Sequence, residues 1–273
     1  MALYDIIDEI TERQVTKTET GDTRMNGVTI GFVSKNYDKD MPGRVCVTIP
    51  TRDSKANELQ WARVAMPSGG KGWGHYFLPE AGDQVLLAFE GGDIEKPYVI
   101  GCIQKDNDKF LTDSVNDKNR TKRIVTKHGS MITFDDSPDD KDGKKDKITI
   151  QTADKAHTIL LDNENKKIRI ADKAGEDYIE MKTEEGSGTL TMKIKSKVTI
   201  AVGDSIKFIL NGESGAVKLE ASSVNIEAKD KVGLKSDSMV KLEGGTVAQS
   251  ASSSFKIESS GAVKIGGTPI KIG

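Results

Sequence analysis

Val217-Lys218-Leu219-Glu220, Val224-Asn225-Ile226-Glu227, Val232-Gly233-Leu234-Lys235 and Val240-Lys241-Leu242-Glu243 are versions of one short unit. A degenerate copy at Val247-Ala248-Gln249-Ser250 follows, then Phe255-Lys256-Ile257-Glu258, Val263-Lys264-Ile265-Gly266 and Ile270-Lys271-Ile272-Gly273, at steps of 7, 8, 8, 7, 8, 8 and 7 residues. Repetition of this kind constrains architecture before local propensity does. In each complete unit the apolar residues stand two apart, so a strand turns both to one face and the residue between them, usually Lys, to the other. The gaps hold Ser, Gly, Ala or Asp and leave room only for a tight turn. Two inward side chains cannot bury themselves, so the units are expected to stack into a parallel β-solenoid with one narrow core. Its candidate core is Val217, Leu219, Val224, Ile226, Val232, Leu234, Val240, Leu242, Phe255, Ile257, Val263 and Ile265. Either three units make one coil of a single chain, about 23 residues, or three chains wind together and each supplies one face of every layer. The steps show no higher period of three in residue type, which favours three chains.

Working back toward the N-terminus, looser versions of the unit occur at Ile206-Lys-Phe-Ile, Val198-Thr-Ile, Leu190-Thr-Met-Lys-Ile, Ile168-Arg-Ile and Ile148-Thr-Ile, so the shaft is expected to occupy residues 124–273. Stacked layers would pair most backbone groups along the axis and make it stiff, with open layer edges only at its two ends. A polar linker, 105–123, precedes it. Residues 28–104 carry five strand-like runs, VTIGFVS from Val28, RVCVTIP from Arg44, LQWARVAM from Leu59, QVLLAFE from Gln84 and PYVIGCI from Pro97. They are separated by turn chemistry such as Met41-Pro42-Gly43, Pro67-Ser68-Gly69-Gly70 and Gly91-Gly92-Asp93, and no helix interrupts them. A small antiparallel five-stranded Greek-key barrel is the common solution. In the first segment, 1–27, Leu3, Ile6, Ile7 and Ile10 keep the spacing of one helix face. A short amphipathic helix is expected there, marginal alone and needing a surface to dock on.

Composition agrees with a thin, repetitive core. Of 273 residues 36% are apolar, 5% aromatic and 30% charged, with 27 glycines, which is lean for a globular enzyme. A formal charge of −2 gives no field that would gather nucleic acid or an anionic membrane. Cys46 and Cys102 lie in separate apolar runs and are expected to be buried free thiols, with a single bridge as the alternative. No basic leader and no run of about 18 apolar residues occurs, so the chain is expected to be made in the cytoplasm and to leave by some route other than standard secretion.

The barrel segment resembles the oligosaccharide/oligonucleotide-fold (OB) domain of phage baseplate assembly protein V and of the VgrG spikes of type VI secretion. The resemblance rests on an ordered set: Gly43-Arg44-Val45-x-Val47, Trp61-Ala62-Arg63-Val64, Gly72-Trp73-Gly74, Phe77-x-Pro79-Glu80-x-Gly82-Asp83-Gln84-Val85, Phe89-Glu90-x-Gly92-Asp93 and Pro97-Tyr98-Val99-Ile100-Gly101. Lys127-His128-Gly129-Ser130-x-Ile132-x-Phe134-Asp135-Asp136 looks like the family's entry into its β-helix. The resemblance implies an all-β chain in which an OB barrel leads into a trimeric intertwined β-helix, the central spike of a contractile tail or injection machine. Trp61, Trp73, Pro79, Gly82, Asp83, Phe89, Gly92, Asp93, Pro97 and Gly101 would then shape the barrel or its contact with the tail-tube hub. Neither the hub domain of VgrG proteins nor a lysozyme-like insertion is found, so the hub is expected to be a separate protein. No histidine follows His157, so no metal is expected at the point, where a small tip protein of the PAAR type would cover Ile270 and Ile272. The particle would be a phage tail or another extracellular contractile assembly.

Other chemistry is weaker. His75, His128 and His157 have no carboxylate or cysteine at triad or metal spacing. Asp135, Asp136, Asp139, Asp140 and Asp142 lack the ligand order of a calcium loop and read as a solvated turn. Gly69-Gly70-Lys71-Gly72-Trp73-Gly74 lacks the Ser or Thr and the helix of a phosphate-binding loop. Trp61, Trp73, Tyr76 and Phe77 could stack bases, but no basic track accompanies them, and core or hub-contact roles are expected. The expectation is a mechanical protein with no catalytic residue, no cofactor, no nucleic acid and only transient contact with a target envelope. The alternatives are an OB protein that binds nucleic acid or glycan and carries a solenoid appendage, and a β-helix polysaccharide lyase or hydrolase. The second would need convergent acids or arginines where this chain alternates Lys with Glu.

Overall fold

The computed structural model describes residues 24–50 and 61–271. The expected N-terminal helix lies outside them, as do Leu59 and Gln60 of the third strand run and Ile272. The chain divides into two compact units, one up to Lys195 and one from Ser196, and each is described by itself.

The first unit opens with the barrel. Its strands are β1 (Thr29–Lys35), β2 (Arg44–Thr48), β3 (Ala62–Val64), β6 (Gln84–Phe89) and β7 (Pro97–Cys102), closed in the order β1-β2-β3-β7-β6. Between β3 and β6 stands a hairpin of two short strands, β4 (Gly69–Gly70) and β5 (Trp73–Gly74). The five expected runs are the five barrel strands, but β3 pairs with β7 in parallel, Arg63 opposite Tyr98 and Val64 opposite Val99, where an all-antiparallel barrel was expected. The Greek-key path brings β7 back to β3 across the barrel rather than through a hairpin, and this pair closes the cylinder. Alternation sends Val45, Val47, Ile49, Ala62, Val85 and Leu87 inward, all fully buried, with Val33 and Val99 beside them and Val64, Leu78, Phe89 and Ile94 packed around.

A single helical turn, α1 (Lys109–Thr112), leads to β8 (Thr121–Val125). Six further strands follow: β9 (Met131–Asp135), β10 (Lys147–Gln151), β11 (His157–Asp162), β12 (Lys167–Asp172), β13 (Tyr178–Lys182) and β14 (Thr189–Lys193). Each pairs antiparallel with the next, giving a seven-stranded meander. Parallel stacked units were expected from Ile124, so the pairing direction is corrected here. The strands run to five or six residues, and connections such as Asn163–Lys166 form hairpins, which put consecutive strands side by side in opposite directions.

The second unit starts with a three-stranded antiparallel sheet, β15 (Lys197–Val202), β16 (Ile206–Asn211) and β17 (Ala216–Glu220). Residues 221–271, which hold six of the eight repeats and the start of the last, form no strand pair within the chain. The described residues are thus all-β apart from isolated turns of helix, an OB-type barrel followed by β-rich segments.

Candidate functional site: an uncovered apolar face

The register of the seven-stranded sheet sorts its side chains into two faces. One row runs Ile124, Ile132, Ile150, Ile159, Ile170, Ile179, Met192 across the seven strands. Two residues along, on the same face, runs a second row: Lys122, Phe134, Ile148, Leu161, Ile168, Met181, Leu190. Thirteen of these fourteen side chains are apolar, and Lys122 folds its ammonium back to the Asn119 carbonyl. At about 4.8 Å between strands the face is about 30 Å long. Ile170 remains 49% exposed and Leu190 66%. A groove of about 420 Å³ crosses it over Ile150, Ile159, Ile170 and Ile179.

The opposite face is polar. Its rows include Arg123, Thr133, Thr149, Leu160, Arg169, Glu180 and Thr191. Arg169 donates to Glu180 at 2.8 Å and to the Gly175 carbonyl, and lies over the Tyr178 ring at 3.8 Å. The hydrogen bond from Arg169 holds the Glu180 carboxyl below its ordinary range. At the sheet margin Asp162 is buried. Burial alone would raise its pKa, but the two Asn165 N–H donors, with Lys147 and Lys167 nearby, outweigh that and leave it lowered. A face of ion pairs and threonines needs only water, while the aliphatic face needs a cover.

The second unit repeats the pattern. Val198, Leu210 and Val217 form one row, Ile200, Phe208 and Leu219 the next, and Val202 with Ile206 a third, all on one face. Beyond β17 the expected core residues Val224, Ile226, Val232, Leu234, Val240, Leu242, Phe255, Ile257, Val263 and Ile265, with Ile270, are 50–72% exposed. Within one chain they are therefore not a core. Lys and Glu two apart form ion pairs at Lys218 and Glu220, Lys241 and Glu243, and Lys256 and Glu258.

The barrel positions singled out from sequence divide by role. Pro79, Gly92 and Pro97 are buried, and Phe89 packs against the core. Gly92 has φ +78° and a Cβ there would meet the Cβ of Arg24 at 3.0 Å, so this turn accepts the incoming chain only as glycine. Gly82 and Asp83 form an exposed turn in which the Asp83 carboxylate accepts from the Glu80 N–H at 2.8 Å, and Asp93 caps the next turn through the Glu95 N–H. Gly101 lies beside the register shift between β6 and β7. Trp61 is half-buried. Trp73, Tyr76 and Phe77 are 67%, 71% and 59% exposed, which removes the core reading for these three. The hairpin carries Trp73 over Gly70, where an added Cβ would stand 2.6 Å from the indole nitrogen. His75 is bonded to the Ser68 hydroxyl at 2.9 Å.

Cys46 and Cys102 are not bridged by a disulfide, and Cys46 is buried as expected. Cys102 is exposed at the end of β7, a correction to the expected burial. Its strand leaves the barrel there, so it has cover on one side only. Partial burial and the Asp83 charge push its thiol pKa up.

Closed barrel, Trp-bearing hairpin and turn glycines coincide with one known domain. Residues 29–103 match the type VI secretion system/phage-baseplate injector OB domain. Similar curated proteins include type VI secretion system spike proteins of Pseudomonas aeruginosa. VgrG2a and VgrG2b are each 33% identical over 75 residues, 26% of this chain and 9% and 7% of theirs. VgrG5 is 34% identical over 65 residues, 24% of this chain and 8% of its own. The chain therefore spans less than a tenth of the length of these relatives, and the likeness is carried by the injector OB domain. Over that segment the chain is similar to VgrG-type and phage-baseplate spike sequences. The matched names are those of spike proteins. Among the described residues no helix is long and apolar enough to cross a membrane.

The apolar rows of β8–β14 were only partly legible in the sequence. Ile124, Ile132, Phe134, Ile159, Leu161 and Ile179 join the repeat residues on a continuous face, and the signal that finds them is the two-residue alternation within each strand.

Proposed function

We propose that this chain is the central spike of a contractile injection particle, in a phage tail or a related machine, and that it acts as a homotrimer. In this reading residues 28–104 are the anchoring barrel and residues 105–123 lead into a shaft, 124–273, in which three copies turn their apolar faces inward. The observation that carries it is the uncovered aliphatic face joined, in one chain, to an injector OB domain. A single copy leaves that face in water. Three copies would make a closed prism with Lys, Glu, Arg and Thr outside, and the repeats after Glu220 would find in neighbouring chains the strand partners they lack in their own.

The barrel seats on the tube hub, with the exposed Trp73 and Tyr76 as contact residues. The shaft transmits axial force into the envelope without catalysis or a cofactor, and a small capping protein covers Ile270 and Ile272. The chain is made in the cytoplasm and incorporated into the baseplate. Light scattering on the purified full chain tests the assembly, with three times 29.6 kDa expected. A stable single-chain mass at micromolar concentration would overturn the reading.

A further inference from the structure

A second apolar surface lies on the injector OB domain. Beside β3 and the end of β7 is a groove of about 560 Å³ whose walls include Val64, Met66, Phe77, Ile100, Cys102 and Ile124. No charged side chain lines it, and its one histidine, His75, is already bonded to Ser68. Phe77 and Ile100 stand 59% and 44% exposed in it. A groove without charge is a poor seat for nucleic acid phosphates or an acidic peptide and a good one for an apolar protein surface.

Ile124 decides which surface. It lines this groove and also begins the first aliphatic row of the sheet, opposite Ile132. The apolar surface therefore passes from barrel to sheet without a polar break, and whatever covers that end of the sheet reaches the groove. We propose that the groove is closed by a second copy of this chain, so that the barrel belongs to the subunit interface together with the shaft. In a threefold ring each copy would offer this groove to one neighbour and a different patch to the other. The inference rests on the trimeric spike reading.

Cys102 reports on it, because it lies in the groove wall while Cys46 is already inside the barrel. The full-length native protein is treated with N-ethylmaleimide at a pH high enough to ionise an exposed thiol, and labels per chain are counted by intact mass. The same sample is sized by light scattering. A three-chain mass with no label, under conditions where urea-unfolded chain takes two, is the expected result. A three-chain mass with Cys102 rapidly labelled overturns the groove contact and leaves the spike reading standing, and a single-chain mass overturns both. Ile100→Glu places a carboxylate in the groove at a position half-exposed in one chain. It is expected to speed Cys102 labelling in the assembled protein by about tenfold or more, as local opening would. Unchanged protection in that variant would also count against the inference.

Discussion

The barrel and the sheets that follow it are built from the same material, strands of a few residues with apolar side chains at every second position, yet they end in opposite states. In the barrel Val45, Val47, Val85 and Leu87 are sealed from water, because β1 pairs with both β2 and β6 and the sheet curls onto its own inner face. In the meander of β8–β14 the same alternation produces a face on a sheet that does not close, and Ile170 and Met192 stay half in water. Closure makes the difference, not hydrophobicity. A strand pattern says which side chains share a face, and only topology says whether one chain can cover that face.

Substitutions on the two sides of this comparison should behave differently. The largest effect is expected from Ile170→Asp, between Ile159 and Ile179 in the aliphatic row. A carboxylate buried there would cost several kcal/mol per copy. The assembled mass should fall to that of one chain, while tryptophan fluorescence, reporting Trp61 and Trp73 in the barrel, stays native. An unchanged mass and melting temperature would mean that the face is not buried. Leu87→Ala is the converse. It should destabilise the barrel by about 2–5 kcal/mol, seen as an earlier tryptophan-detected transition in denaturant, and leave the assembled mass intact. If the mass changes as well, barrel and shaft do not stand as separate cores.

The smallest effect is expected on the polar face. Arg169 holds the Glu180 carboxyl below its ordinary 4.5. The stabilisation is therefore present above that value and is lost as pH falls through it toward the lower folded-state pKa. Glu180→Gln should cost no more than about 1 kcal/mol at neutral pH, the range of surface ion pairs. It should also flatten the dependence of stability on pH below about 5. An equal acid-induced loss in the variant would assign that loss to other carboxyls, with Asp162 the first to examine.

The barrel was readable because its runs were flanked by Gly, Pro and Asp turns and because Gly43-Arg44-Val45 to Gly101 form an ordered set. What escaped was the parallel union of β3 with β7, since a strand carries the same alternation whichever way its neighbour runs. The same ambiguity hid the antiparallel meander after Ile124, where the short repeats nearer the C-terminus suggested parallel stacking throughout. Hairpin connections such as Asn163–Lys166 hold the missing information. Of the candidate site, the two-apart residues from Val217 onward were plain. Trp73 was not, because its exposure comes from a hairpin folded over Gly70 that no periodicity announces.

The meander has a consequence for how the molecule comes together. Every strand from β8 to β14 pairs only with its neighbours along the chain, so its contacts are local in sequence and belong to the class that forms fast and without a second molecule. Residues 221–271 have no such pairing, and under the proposed assembly their ordering is a reaction of higher order, dependent on how many chains are nearby. Each chain would bring to the encounter a finished barrel and a nearly finished wall, and the last fifty residues would set the concentration below which no spike is made.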